Sequence, residues 1–421
     1  MTHTAAYIKQ ITDLGDTQKV VASEDICNDK GVSLVKKGAQ IDSSLYDRLI
    51  QHKLLRPLDY SVSIENPITP LSLITEAKRL LSEEAELVQA VDSRFIQRDL
   101  LPILWGVYLE PQLSFKLTLC REQTLSRFQH MLRITLISLY VAARLRWAIS
   151  ERIELATAAL FHDLGEMHLD PSLFNGQPLD LAQRRQLFSH PTIAYLFLKE
   201  FSAYHPRVSM AVHQHHERLD GSGYPKGLSG NDVLPAARVI GASELLAVIR
   251  LEPGRSESRL FSITEILNFN AGKFGNELIL PLIDAAKRIK ADDSYVTDSR
   301  FVNKSDLQTR MNLLHEYLKE ADKLDATASN DMTAFISKQL CRISDMANRC
   351  CANLHTSDDL FAIIGDDKIA LSEVDALVRE MIYLVQSTAR EAIRRWIKDD
   401  SVSDEHDPLV KWLLMVDNGS E

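Results

Sequence analysis

Cysteine is scarce: five residues in 421, at Cys27, Cys120, Cys341, Cys350 and Cys351. An odd and scattered set fits reduced thiols of the cytosol better than a disulfide framework. Glycine and proline are also sparse, 16 and 14 residues, which excludes collagen-like and linker-rich chains. No apolar run is long enough to span a bilayer. The most hydrophobic stretch, Ile134 to Ala143, runs into Arg144 and Arg146 and reads as a buried helix. Met1 to Gly15 has no apolar segment behind a basic start, so no secretory signal is expected. Positive charge is in deficit, with 48 Lys and Arg against 58 Asp and Glu for a net charge of −10. That is the wrong sign for a protein that coats a nucleic acid polymer, and an anionic ligand would need a local basic pocket.

What is present is ordinary globular material, 45% hydrophobic and 25% charged, and the length allows roughly three domains. Residues 1–66 read as a small α+β module: Val20-Val21, a turn at Asn28 to Gly31, Val32 to Val35, a helical Ser43 to Leu55 and an extended Tyr60 to Ile64. After Pro67 and Pro70 the apolar positions recur at three and four, and residues 67–300 read as all-helical. Helices are expected at Leu125–Arg146, Glu151–His162, Leu181–Phe201 and Arg207–His216. Residues 301–421 read as a helical extension with helices near Leu307–Leu318, Met332–Leu354 and Glu373–Lys398, the last capped by Ser372. The fold class expected is mainly α.

The informative feature is the placement of the 13 histidines. His130, His162, His190, His215 and His216 alternate with helical segments and sit beside carboxylates. A lone histidine on a helix is ordinarily a hydrogen-bonded core residue. His162-Asp163, however, ends the apolar run Ala156 to Phe161 and offers a nitrogen ligand next to a carboxylate whose two oxygens can bridge two divalent ions. In His215-His216-Glu217, neighbouring positions on a helix point about 100° apart, so two imidazoles can serve different ions. The following Asp220 to Pro225 is dense in turn formers and must end the helix. His213, one turn before His216, suits an outer role or a plain helix position; Cys350-Cys351 with His355 lacks a second pair and reads as ordinary thiols.

Together, His162-Asp163-Leu164-Gly165, His190-Pro191 and the run His215 to Leu228 (HHERLDGSGYPKGL) resemble the signature of HD-GYP proteins, the cyclic di-GMP phosphodiesterase branch of the HD superfamily. The resemblance covers residues 110–290. His130, His162, His190 and His216 follow one another at intervals of 32, 28 and 26 positions, as in the family pattern. It implies an all-helical HD-GYP-type domain and two divalent metal ions, Mn or Fe, since imidazoles with carboxylates suit these better than Mg. His130, His162 and Glu244 would complete one ion and His190, His215 and His216 the other, with Asp163 bridging and His162 and Asp163 at the catalytic centre. Arg218, Tyr224, Lys226 and Arg255 are the substrate-binding candidates. The implied reaction is attack by a metal-activated hydroxide on cyclic di-GMP, stopping at linear pGpG, because Ser126 stands where trinuclear members carry Glu.

Two positions depart from the family pattern. Glu244 replaces an Asp. Glu166 replaces a Lys that meets a substrate phosphate; Arg218, Lys226, Arg250 and Arg255 are the candidate cations to compensate. These departures leave a second reading open, a cyclic di-GMP-binding regulatory protein with weak or no turnover. Beyond cyclic di-GMP, a signalling protein partner or a homodimer is the expected partner, with no nucleic acid polymer and no membrane span.

Overall fold

The computed structural model describes residues 3–177, 179–248, 260–289, 303–322, 331–350, 357–397 and 408–418. Arg250, Arg255, Cys351 and His355 lie outside them. The chain forms two compact units, one of residues 1–218 and 224–244, the other of 219–223 and 245–421. The architecture is mainly α with a small α+β part at the N-terminus. No helix among the described residues is long and apolar enough to cross a membrane.

The first unit opens with a helix, His3–Leu14, that the sequence reading did not include. Tyr7, Ile8, Ile11 and Leu14 are its buried side, at helical spacing. Four short strands follow. β1 (Val20–Ala22) pairs antiparallel with β4 (Val62–Ile64), Val21 opposite Ser63, and β2 (Ile26–Cys27) pairs with β3 (Ser33–Val35). The turn between β2 and β3 is built by Asn28, whose Oδ1 accepts from the backbone N–H of Lys30 and Val32, and by Gly31 at φ +78.

Two readings in this module need correction. The helix expected to reach Leu55 ends at Ile50, because Leu54 and Leu55 turn back to pair with Asn28 and Cys27, and Leu55 N–H donates to the Cys27 carbonyl at 2.9 Å. The extended stretch expected from Tyr60 begins only at Val62, after a 3₁₀ turn at Leu58–Tyr60.

The core of this unit is two helices, Leu125–Arg144 and Ile149–Phe161, packed along each other. Ile134 to Ala142 and Leu155 to Phe161 are buried without interruption. Helices fully buried along several turns accept apolar residues on every face, which is why these segments lack strong amphipathic contrast. A third correction concerns the helix expected from Leu181 to Phe201. It is two helices, Leu181–Leu187 and His190–Leu198, with Pro191 in the first turn of the second. Proline supplies no N–H and its ring blocks a continuous helix, whereas the first turn tolerates it. The break puts His190 at a helix start.

In the second unit the expected C-terminal helices appear as Lys304–Asp322, Asp331–Cys350 and Lys368–Trp396. Ser372 is not the cap of the last. Asp367 is, its carboxylate accepting from Ile369 and Ala370 N–H, while Ser372 Oγ bonds the Lys368 carbonyl inside the helix. This unit also fastens the short segment 219–223. Asp220, its carboxylate buried, pairs with Arg342 at 2.6 Å, Arg394 donates to the Gly223 carbonyl at 3.2 Å, and Arg395 donates to the carbonyls of Gly221 and Gly223. Burial alone would raise the Asp220 pKa, but Lys273, Ser222 and Arg342 hold it below the usual carboxylate range.

Candidate metal centre

Each candidate ligand is placed by a local feature of its segment. His162 caps the C-terminus of the Ile149–Phe161 helix and Asp163 follows it into a 3₁₀ turn, Leu164–His168. His130 lies on the Leu125–Arg144 helix, His190 opens its own helix, and Glu244 lies on Pro235–Leu246. His215 and His216 are not on the helix body as expected; Pro206–Gln214 ends just before them, and they occupy its closing turn.

The structure brings all seven together in the first unit. His130, His162, Asp163 and Glu244 each offer a ligand atom within 4.8 Å of the others, and so do Asp163, His190, His215 and His216. The Asp163 oxygens divide between the sets: Oδ2 lies 3.1 Å from His162 Nε2 and 3.8 Å from His130 Nε2, Oδ1 3.4 Å from His190 Nε2 and 3.7 Å from His215 Nε2. Glu244 spans more than its assigned set, with Oε1 3.1 Å from His162 Nε2 and Oε2 3.8 Å from His216 Nδ1.

The ring tautomers bear on what these nitrogens face. Nδ1 of His162, His190 and His215 each meets the backbone carbonyl three residues back, Ala159 at 2.7 Å, Leu187 at 2.8 Å and Val212 at 2.6 Å. A carbonyl can only accept, so each Nδ1 carries the hydrogen and each neutral ring turns an Nε2 lone pair into the cluster. His190 Nε2 and His215 Nε2 then stand 3.3 Å apart, lone pair against lone pair. His162 Nε2 is buried and aligned for a hydrogen bond with neither carboxylate near it. Such an arrangement is repulsive unless a cation lies against those atoms, so the donor set fits divalent metal ions.

The electrostatics agree with that fit. Burial pushes the pKa of His130, His190 and His216 down, and that of His215 down to about 3, leaving neutral rings. For His162 burial acts downward too, but the Asp163 and Glu244 carboxylates overcome it and hold its pKa well above the ordinary value. Asp163 and Glu244, despite burial, are held below the usual range by the imidazoles around them.

Gly165 is required by a close approach: a Cβ there would meet the His190 carbonyl oxygen at 2.0 Å. Gly165→Ala is therefore expected to cost about 3 kcal/mol and to displace His190, lowering bound metal; denaturant titration and elemental analysis of the purified variant check this.

The substrate-binding candidates are less convergent. Arg218 donates to the backbone carbonyls of His215 and Glu217 at 2.8 and 2.9 Å, bracing the closing turn. Tyr224 packs its ring on His216 and on Phe188, with centroids 4.5 Å away in both cases. Lys226 is exposed, and its backbone N–H, with that of Leu228, donates to the fully buried carboxylate of Glu217 at 2.6 and 2.8 Å. Glu217, passed over in the sequence as a neighbour of two histidines, thus ties down the loop. Arg255 falls outside the described residues. His213 is not part of the cluster: it stacks on Tyr195 at 4.8 Å and its Nε2 meets Thr192 Oγ1 at 3.2 Å.

Among the described residues, the cation beside Glu166 is neither Arg218 nor Lys226. It is Arg127, whose Nε donates to Glu166 Oε2 at 2.8 Å. Burial, followed by the Asp163 charge, pushes the Glu166 pKa up to about 8 in spite of Arg127. The available signal was position: Arg127 precedes His130 by one helical turn, as Glu166 follows Asp163 by three residues.

A buried double cluster of imidazoles and shared carboxylates on a helical scaffold defines a metal-binding helical domain. Residues 109–278 match the HD domain family, over the stretch where the sequence resembles the HD-GYP branch. The chain is 29% identical over 124 residues to the 3'3'-cGAMP-specific phosphodiesterase 3 of Vibrio cholerae, covering 29% of this chain and 27% of that protein. It is 30% identical over 115 residues to the cyclic di-GMP phosphodiesterase response regulator RpfG of Xanthomonas campestris, covering 27% and 30%. The chain thus spans about a third or less of these relatives' length. Among solved structures, Bd1817 from Bdellovibrio bacteriovorus, an HDG"Y"P protein, aligns with 66% of this chain and 95% of its own at 18% identity and a TM-score of 0.34.

Proposed function

We propose that the protein is a metal-dependent phosphodiesterase that opens cyclic di-GMP to linear pGpG. The observation that carries this reading is the convergence of the Nε2 atoms of His162, His190 and His215 on the two oxygens of Asp163. His130, His162 and Glu244 would hold one divalent ion, His190, His215 and His216 the other, and Asp163 both; Mn or Fe suits these donors. Such ions supply an acidified water near neutral pH and neutralise phosphoryl oxygens. The chain's own part is positional. The backbone carbonyls of Ala159, Leu187 and Val212 fix the orientation of the three rings, and burial keeps those of His190 and His215 unprotonated, with lone pairs free, across the neutral range. Glu217 and Arg218 set the loop that brings Tyr224 against His216. A phosphodiester anion is thereby held where bulk water is excluded.

The test is turnover by the manganese-loaded full chain, with products separated by chromatography. Cyclic di-GMP should be consumed to pGpG, and chelation followed by dialysis should remove activity that manganese restores. Intact cyclic di-GMP after prolonged incubation with metal-replete protein would overturn the assignment. Because the Vibrio cholerae relative is named for 3'3'-cGAMP, the same assay includes that dinucleotide; faster cleavage of it would move the substrate within the class. Binding without product, the behaviour of a regulatory protein, would equally overturn the phosphodiesterase assignment.

A further inference from the structure

We propose that Arg127 is a substrate-positioning residue that takes a phosphate oxygen of the dinucleotide, and that Glu166 is its resting partner, displaced when the phosphate arrives. This rests on the phosphodiesterase reading of the site above. A cyclic dinucleotide carries two phosphodiester anions, and a pair of metal ions engages the one being cleaved. The other needs a cation from the protein, and a chain of net charge −10 does not provide one by its general field.

Arg127 has the placement. It sits on the same helix face as His130, three residues earlier, where side chains lie about 5–6 Å apart. Glu166 is in the 3₁₀ turn that begins directly after Asp163, so the ion pair joins the two segments that carry ligands of one metal set. Arg127 also has the valence. Only its Nε is committed, to Glu166; among the described residues its two terminal amino groups form no hydrogen bond. Its guanidinium lies over the ring of Phe174 at 4.7 Å, which holds the fork flat without using its donors. A guanidinium with its terminal donors open and its plane fixed is suited to a phosphate oxygen pair.

Glu166 makes the arrangement conditional. Its carboxyl group stands near the Asp163 carboxylate, and Arg127 at 2.8 Å is the cation that holds it there. A phosphate that draws on the same guanidinium competes with Glu166, so the pair sets how tightly substrate is held. A plain structural ion pair behaves differently: removing either partner would then weaken the site alike.

The experiment compares the full-length protein with Arg127→Gln and Glu166→Gln, all loaded with manganese and matched in metal content. Calorimetric binding of inorganic phosphate is measured as well as the KM and kcat for cyclic di-GMP. Arg127→Gln should weaken phosphate binding and raise KM at least tenfold, and flatten the dependence of both on salt; Arg127→Lys should recover part of the loss. Glu166→Gln should move the other way, tightening phosphate severalfold. Loss in both variants alike, or no change in Arg127→Gln, would overturn the proposal. If the wild type binds phosphate through Arg127 yet cleaves no dinucleotide, the positioning role stands and the phosphodiesterase assignment falls.

Discussion

Asp163→Asn is expected to lower cyclic dinucleotide turnover by at least a thousandfold, about 4 kcal/mol of activation free energy, and to strip bound metal from the protein. The volume is unchanged, so the effect isolates the charge. Asp163 is the single side chain common to both ligand sets, each of its oxygens facing different imidazoles. The amide keeps one accepting oxygen and presents NH₂ hydrogens to the other set, where the Nε2 lone pairs of His190 and His215 can accept them. One metal position is thereby closed, and the other is left with Glu244 as its one anionic ligand. His162→Ala should give a similar loss, whereas His213→Ala, stacked on Tyr195 and outside the cluster, should keep turnover within a few fold. Elemental analysis of the three purified variants, run with the chromatographic assay, separates metal loss from a change of fold. Full metal content and wild-type rates in Asp163→Asn would remove the basis of the two-metal site.

Three of the candidate ligands were legible in the sequence because they sit at boundaries that leave a local mark: His162 after an apolar helix, His190 before a proline, His215 ahead of a glycine-rich loop. Family resemblance then supplied their grouping, and the folded chain places the same seven residues together. What was not legible depends on partners far apart in the chain. Arg127 and Glu166 are separated by 39 positions, and nothing in either segment names the other. Pro191 could have split the Leu181–Phe201 helix on sight, but the periodicity on both sides masked the break. Ser372 looks like a cap by residue type; Asp367, four residues before Leu371, the first buried residue of the helix, holds the first-turn donors instead. The arginines that fasten segment 219–223 come from helices with no motif of their own, so a contribution of residues 301–421 emerges only from the fold.

The largest stability effect is expected from Lys116→Met. The Lys116 ammonium lies 2.9 Å from Asp59 Oδ2, with the two side chains 4% and 1% exposed. It also donates to the Tyr7 hydroxyl at 3.0 Å, meets His168 Nε2 at 3.2 Å and lies over the rings of Tyr7 and Phe197. Burial, and then the Asp59 charge, hold the Tyr7 phenol well above its ordinary pKa, so that group stays a neutral hydroxyl and cannot stand in for the cation. Methionine fills the space but leaves the buried Asp59 side chain with neither water nor counter-charge, which costs about 3–5 kcal/mol and lowers the Tm by roughly 5–15 °C. The double variant Lys116→Met with Asp59→Asn should recover most of it, because the cost lies in the stranded charge and not in the lost attraction. The consequence reaches the metal centre. Asp59 and Tyr7 belong to the N-terminal α+β part, and His168 closes the 3₁₀ turn that starts after Asp163; Gln10 grips the same turn through the Met167 carbonyl at 3.2 Å. The single variant should therefore lose metal affinity as well as stability. Thermal unfolding with metal titration reads both, and a single variant within about 1 kcal/mol of wild type would mean that water reaches Asp59 and that this buried pair does not anchor the turn.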